Sequence, residues 1–252
     1  MKKEEAVFKY CLRLGDDALI LGHRLSELCS KAAFIEEDLA LTNISLDMIG
    51  RAQAILKYAA EIEAKGNTED DLAYRRPEIK YYNHLLMEQD NGDFARTIAR
   101  QLFISTFEYF LYSDLEKSAD PTLSAIAAKA IKEVKYHFEH ASEWVVRLGD
   151  GTEESHNRMQ KAVNDLWMYT GELFEMDEVE NLLLKDGIAV DLIPIKSQWQ
   201  IKVQNVLTEA TLTMPEDGYM QTGGRKGVHT EKLGHILSEM QYLQRAYPDA
   251  KW

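Results

Sequence analysis

Four side chains in this sequence have the chemistry of iron ligands and fall where helices should be apolar: Asp17, Asp47, Glu108 and His137. At about 100° per residue, Asp17 lies on a helical stripe with Val7, Tyr10, Leu14, Leu21 and Leu25, and Arg24 shares that stripe. Asp47 and Arg51 fall among Ile44, Met48, Ile55 and Ile62. Ser105 and Glu108 interrupt Phe94, Ile98, Leu102 and Tyr112, and His137 interrupts Leu123, Ala130, Val134 and Ala141. Carboxylate and imidazole suit iron. Helical bundles that hold two irons take a Glu from each of two helices and a Glu-x-x-His from each of the other two. The three-residue step aims both side chains at one centre.

That pattern is incomplete here. Glu153 and His156 make the one Glu-x-x-His, at the start of a later helix where it reads as surface. At the positions that should carry the motif inward stand Val134 with His137 and Ile44 with Asp47. Glu133 sits about 90° from the centre of its stripe. Four donors fall short of the roughly six that such a centre uses. Arg24 and Arg51 share the same interior, and two guanidinium groups repel an iron pair at low dielectric. The chain is therefore expected to hold no metal and no catalytic residue. Asp17, Asp47, Glu108 and His137 are then remnants of a degenerate site. Asp17, Arg24, Asp47, Arg51 and Glu108 are expected to form a buried ion-pair network, because buried charge persists only when paired. The competing reading is an independent di-iron oxygenase or iron-handling protein that uses the four donors with bridging waters.

The elements that must position these residues are helices. Apolar spacing of three and four dominates, prolines number five, and short alternating runs are missing. Eight helices are expected, near residues 5–30, 35–64, 77–89, 93–118, 121–148, 153–176, 195–212 and 230–246. Asp120-Pro121 supplies an acidic N-cap with proline in the first turn. Two long hairpins joined by a longer crossover are the plan of a ferritin-like four-helix bundle. The expectation is an all-α chain with additional C-terminal helices, a single domain over 1–252 with core helices at about 5–64 and 93–148.

Composition narrows the partners. Lys and Arg total 29 against 42 Asp and Glu, a net charge of −13, which disfavours nucleic acid and anionic membrane surfaces. No apolar run has membrane-spanning length. The N-terminus has no signal-peptide pattern, so a cytoplasmic location is expected. Cys11 and Cys29, read on one helix, would lie roughly 27 Å apart, beyond disulfide reach. One basic, glycine-rich segment interrupts the acidic chain at 222–227. Its Arg225 and Lys226 are candidates for contact with a partner or with a CoA phosphate.

Several segments carry a family resemblance. They are Arg13-Leu-Gly-Asp16, Asp38-Leu-Ala-Leu-Thr-Asn-Ile-Ser-Leu-Asp47, Glu88-Gln-Asp-Asn-Gly-Asp-Phe-Ala95, Ala128-Lys-Ala-Ile-Lys-Glu133 with Tyr136-His137, Thr222-Gly-Gly-Arg-Lys-Gly227 with His229-Thr-Glu231, and Glu239-Met-Gln-Tyr-Leu-Gln-Arg245. Together they resemble the non-catalytic ferritin-like C subunits of bacterial ring-1,2-phenylacetyl-CoA epoxidases, over essentially the whole chain. The resemblance implies a structural subunit of a multicomponent monooxygenase in phenylacetate degradation. It implies a catalytic sister subunit that carries the di-iron centre and binds phenylacetyl-CoA, and a reductase supplying electrons from NADPH through FAD and an iron–sulfur cluster. It places no cofactor and no catalytic residue in this chain.

Overall fold

The computed structural model describes residues 1–248 and Ala250; of the domain expected over 1–252, positions 249, 251 and 252 lie outside the described residues. Among the described residues there are ten α-helices and no strand, so the chain is all-α. The helices are α1 (Lys3–Ser26), α2 (Ile35–Glu63), α3 (Glu69–Tyr74), α4 (Phe94–Leu115), α5 (Pro121–Gly149), α6 (Glu153–Trp167), α7 (Glu178–Lys185), α8 (Leu192–Glu209), α9 (Glu231–Met240) and α10 (Tyr242–Ala246). By its internal contacts the chain divides into two compact units, 1–90 with 223–252, and 91–222.

In the first unit α1 packs along α2, and α9 packs on α1. Helix α1 is the central element. From Tyr10 to Gly22 every residue is buried, the mark of a helix covered on all sides. Glu4 and Glu5 in its first turn and His23 and Arg24 in its last complement the helix dipole. Helix α2 is amphipathic. Ile44, Met48, Ile55 and Ala59 are buried, and it ends where Ala64 turns left-handed at φ 53°.

In the second unit α4 packs against α5, α6 and α8. Aspartates begin four of its helices by accepting from free backbone amides: Asp93 for α4, Asp120 for α5, Asp177 for α7 and Asp191 for α8. Phe103, Trp167, Phe174 and Trp199 stack into an aromatic core with ring centroids 5.4–5.8 Å apart. The Trp199 indole N–H donates to the Phe103 carbonyl at 2.8 Å. Satisfying that donor is what lets so large a ring be buried.

Several expected helices differ. Residues 77–89 form only a single 3-10 turn, Glu78–Lys80, followed by extended and turn structure. Their carbonyls and amides serve buried side chains of α1 instead of a helix ladder. Helix α3 precedes them, marked by a Thr68–Asp71 capping box that apolar spacing alone does not detect. Helix α6 stops at Trp167 and gives way to a 3-10 turn, Gly171–Phe174, before α7. The last expected helix is two, broken at Gln241. Its buried amide donates to the Arg76 carbonyl at 3.0 Å and to the Tyr81 hydroxyl at 2.7 Å.

Candidate functional site

The polar positions read from the sequence divide between the two units. In the second unit Glu108 on α4 and His137 on α5 are buried, as their helical phase requires. In the first unit Asp17, Arg24 and Arg51 are buried. Asp47 is a correction. It is half-exposed at the edge of α2 rather than inside, because Ile44, Met48 and Arg51 hold the inward face one step round the helix.

Asp17 anchors a cluster of buried charges within the first unit. Its Oδ1 accepts from the His84 backbone N–H at 2.7 Å. Its Oδ2 lies 2.9 Å from His84 Nδ1 and accepts from Arg225 Nη2 at 2.9 Å. Burial pushes the Asp17 carboxyl up, but Arg225 and His84 outweigh it and hold it below its ordinary value. Asp16, beside it, is fully buried and takes the forked guanidinium of Arg76 together with the Tyr82 N–H at 2.8 Å. Burial prevails there over Arg76, and the carboxyl sits above its ordinary value.

Arg225 is a second correction. Placed by the sequence on a contact loop, it turns inward instead. Its Nη1 donates to the carbonyls of Arg13 at 3.0 Å and Tyr82 at 2.7 Å while Nη2 holds Asp17. A buried carboxylate is a stronger attractor than solvent for a guanidinium that can satisfy its remaining donors. Lys226, the next residue, is exposed. The glycines of this segment are there for close approach. A Cβ at Gly224 would lie 2.1 Å from the Asn83 carbonyl oxygen, and Gly227, at φ +75°, would bring one to 2.3 Å from that of Ile79.

A second group of contacts continues the same seam. Glu88, fully buried, accepts from the Thr230 N–H at 2.8 Å and faces His229 Nδ1 at 3.1 Å. His229 Nε2 lies 2.9 Å from the Tyr81 carbonyl. Acceptors at both ring nitrogens favour the imidazolium. Burial opposes that charge, but Glu88 outweighs it and the His229 pKa is raised above 6.5. Arg24 donates to the Glu88 carbonyl at 3.1 and 3.0 Å and pairs with Glu27 and Asp90.

These residues do not fit a metal. Asp17 already faces a guanidinium and an imidazole, and among the described residues no three His, Cys, Asp or Glu side chains gather closely enough to hold an ion. The His84–Asp17 contact has the form of a base and its orienting acid, with His84 only 1% exposed. The arrangement fixes backbone. It ties 13–24, 76–90 and 223–232 together through side chains that neutralise one another.

A family model described as phenylacetic acid catabolic protein matches residues 1–252, the whole chain. The chain belongs to the phenylacetic acid catabolic protein family. Among its relatives is a protein of Escherichia coli (strain K12) named as the C subunit of 1,2-phenylacetyl-CoA epoxidase. The two are 49% identical over 243 residues, covering 96% of this chain and 98% of the relative. In this member of the phenylacetic acid catabolic protein family, no helix among the described residues is long and apolar enough to cross a membrane.

Sequence reasoning found Asp17 and Arg24 but missed Asp16, Arg76, His84, Glu88 and His229. Asp16 lies off the single apolar stripe of α1, a helix buried all round from Tyr10 to Gly22. Arg76, His84 and Glu88 lie in or beside the 77–89 segment, whose apolar spacing reads as helix, and His229 lies in a loop.

Proposed function

We propose that this chain is a structural, non-catalytic subunit of a multicomponent phenylacetyl-CoA epoxidase acting in phenylacetate catabolism. In this reading it has the ferritin-like plan, with α1–α2 and α4–α5 as its two long hairpins. The di-iron centre and the phenylacetyl-CoA site belong to a catalytic sister subunit, and the NADPH, FAD and iron–sulfur chemistry to a reductase. The observation that carries the reading is the state of Asp17, the best-placed ligand candidate in α1. Arg225 and His84 occupy the oxygens a metal would need. The near full-length similarity to a protein named as the C subunit of such an epoxidase supports the same assignment.

The test is elemental analysis of the purified chain beside co-purification with the sister subunit. We expect no stoichiometric iron in this chain alone, and a stable hetero-oligomer on gel filtration at micromolar concentration. One or two tightly bound irons per chain, with Asp17 or Glu108 needed to hold them, would establish the independent di-iron reading instead.

A further inference from the structure

Helix α2 carries an apolar face that its own unit leaves uncovered. Ile35 is 73% exposed, Leu39 58% and Leu46 60%, and Phe34, just before the helix, is 61% exposed. At about 100° per residue, Ile35, Leu39, Leu46 and Gly50 lie within roughly 60° of one another. Single exposed apolar residues are ordinary, whereas a continuous stripe of them marks a contact surface.

Gly50 is an independent observation pointing the same way. It sits in the middle of a 29-residue helix, where glycine weakens the helix. Glycines in helices commonly admit a neighbour's backbone or side chain, as Gly15 and Gly22 of α1 do. A Cβ there would lie 2.8 Å from Leu56 and 2.9 Å from Ile49, respectively. A Cβ at Gly50 would meet no atom within 4 Å. Among the described residues, nothing uses the missing side chain. Ala54, one turn on, is also exposed and small. Small residues one turn apart on an exposed helix face allow another helix to approach closely.

Charge decides what kind of partner fits. Glu36 and Glu61 are exposed and Asp47 half-exposed along one edge of the face, with Asp38 half-buried on the other; the exposed Lys57 lies on the face itself, beyond Ala54. Two copies of the chain meeting here would bring these acids together, with −13 on each chain. A basic-edged partner is favoured by the same charges.

We infer that the outward face of α2, from Ile35 through Leu46 to Gly50 and Ala54, docks a helix of the catalytic sister subunit, and that this helix is apolar along its contact and basic at its edges. This rests on the subunit reading proposed above.

The test uses the full chain and the purified sister subunit, with two variants, Gly50→Leu and Leu46→Asp. Gly50→Leu should leave the isolated chain melting no lower than wild type, since leucine favours helix and its Cβ would meet no atom within 4 Å on this exposed face. Its Kd for the sister subunit should rise at least about tenfold. Leu46→Asp should weaken association similarly, and association of the wild type should fall with added salt. If wild type and both variants bind equally well, the docking face is overturned and the subunit reading stands. A wild-type chain that does not associate with the sister subunit at all overturns both. If the chain instead forms a homodimer that Gly50→Leu abolishes, the occupant is a second copy and the basic-edged partner is wrong.

Discussion

Arg225 Nη2 donates to Asp17 Oδ2 at 2.9 Å across 208 residues of chain, joining a loop near the C-terminus to the middle of α1. Both side chains are nearly buried, 12% and 7% exposed. Breaking such a pair from one side strands a buried charge. Arg225→Met should therefore cost about 3 kcal/mol in denaturant unfolding. Asp17→Asn combined with Arg225→Met should cost less than the two single changes added together. The sign with pH follows from the lowered Asp17 value. A carboxyl depressed on folding contributes stability above its ordinary 3.8 and loses it as pH falls through the folded value. The wild-type advantage over Arg225→Met should shrink on acidification below that range.

His229 should show the opposite dependence. Its raised pKa means that the folded state binds the proton more tightly than the unfolded one. The contribution is complete below 6.5 and is lost as pH rises through the folded value. The groups facing the ring are Glu88 and the Tyr81 carbonyl, with Asp16 adding attraction. Compared with wild type, His229→Asn should be less stable at pH 6 and closer to it at pH 9, ~3 units apart. Thermal melts at the two pH values measure this, and an equal difference at both would show that folding does not raise the pKa of this ring.

Gly224→Ala should be severe where Gly50→Ala is mild. The new methyl at Gly224 would meet the Asn83 carbonyl oxygen at 2.1 Å, and backbone must move to admit it. A loss of about 3 kcal/mol is expected. At Gly50 the same change meets nothing and should stabilise the isolated chain by up to about 1 kcal/mol. Chemical denaturation of the two variants compares them directly.

Lys226→Glu should leave the fold of this chain intact, because the side chain is exposed and surface substitutions change stability by only about 0.5 kcal/mol. Arg225→Glu should not, since it sets a third carboxylate beside Asp16 and Asp17. Lys226 is thus the clean probe of whether this loop meets a partner or a CoA phosphate. A rise in substrate KM or a weaker complex in Lys226→Glu, with an unchanged melting temperature, would assign it that role.

Arg51 is 4% exposed on α2. Arg51→Met should cost about 3–5 kcal/mol by removing one partner from buried electrostatic contacts. An unfolding measurement below about 0.5 kcal/mol would place that guanidinium effectively in solvent.

The sequence alone determined the all-helical class, the two long hairpins and the burial of Asp17, Arg24, Arg51, Glu108 and His137. Each follows from a local rule: apolar spacing near 3.6 residues, an Asp120-Pro121 start, a polar residue in phase with its apolar neighbours. The scarcity of Glu-x-x-His pairs is likewise a local pattern, and the metal-free reading drawn from it is the one proposed above. Tertiary structure alone decided which charges meet. Asp17 finds Arg225 and Glu88 finds His229 across 208 and 141 residues of chain, and no periodicity encodes such a distance. It also turned Arg225 inward, moved Asp47 to the edge of α2 and withheld a helix from 77–89. The burial of α1 on every side creates carboxylates that only a returning loop and an irregular segment can satisfy, and where that loop closes is a property of the whole packed chain.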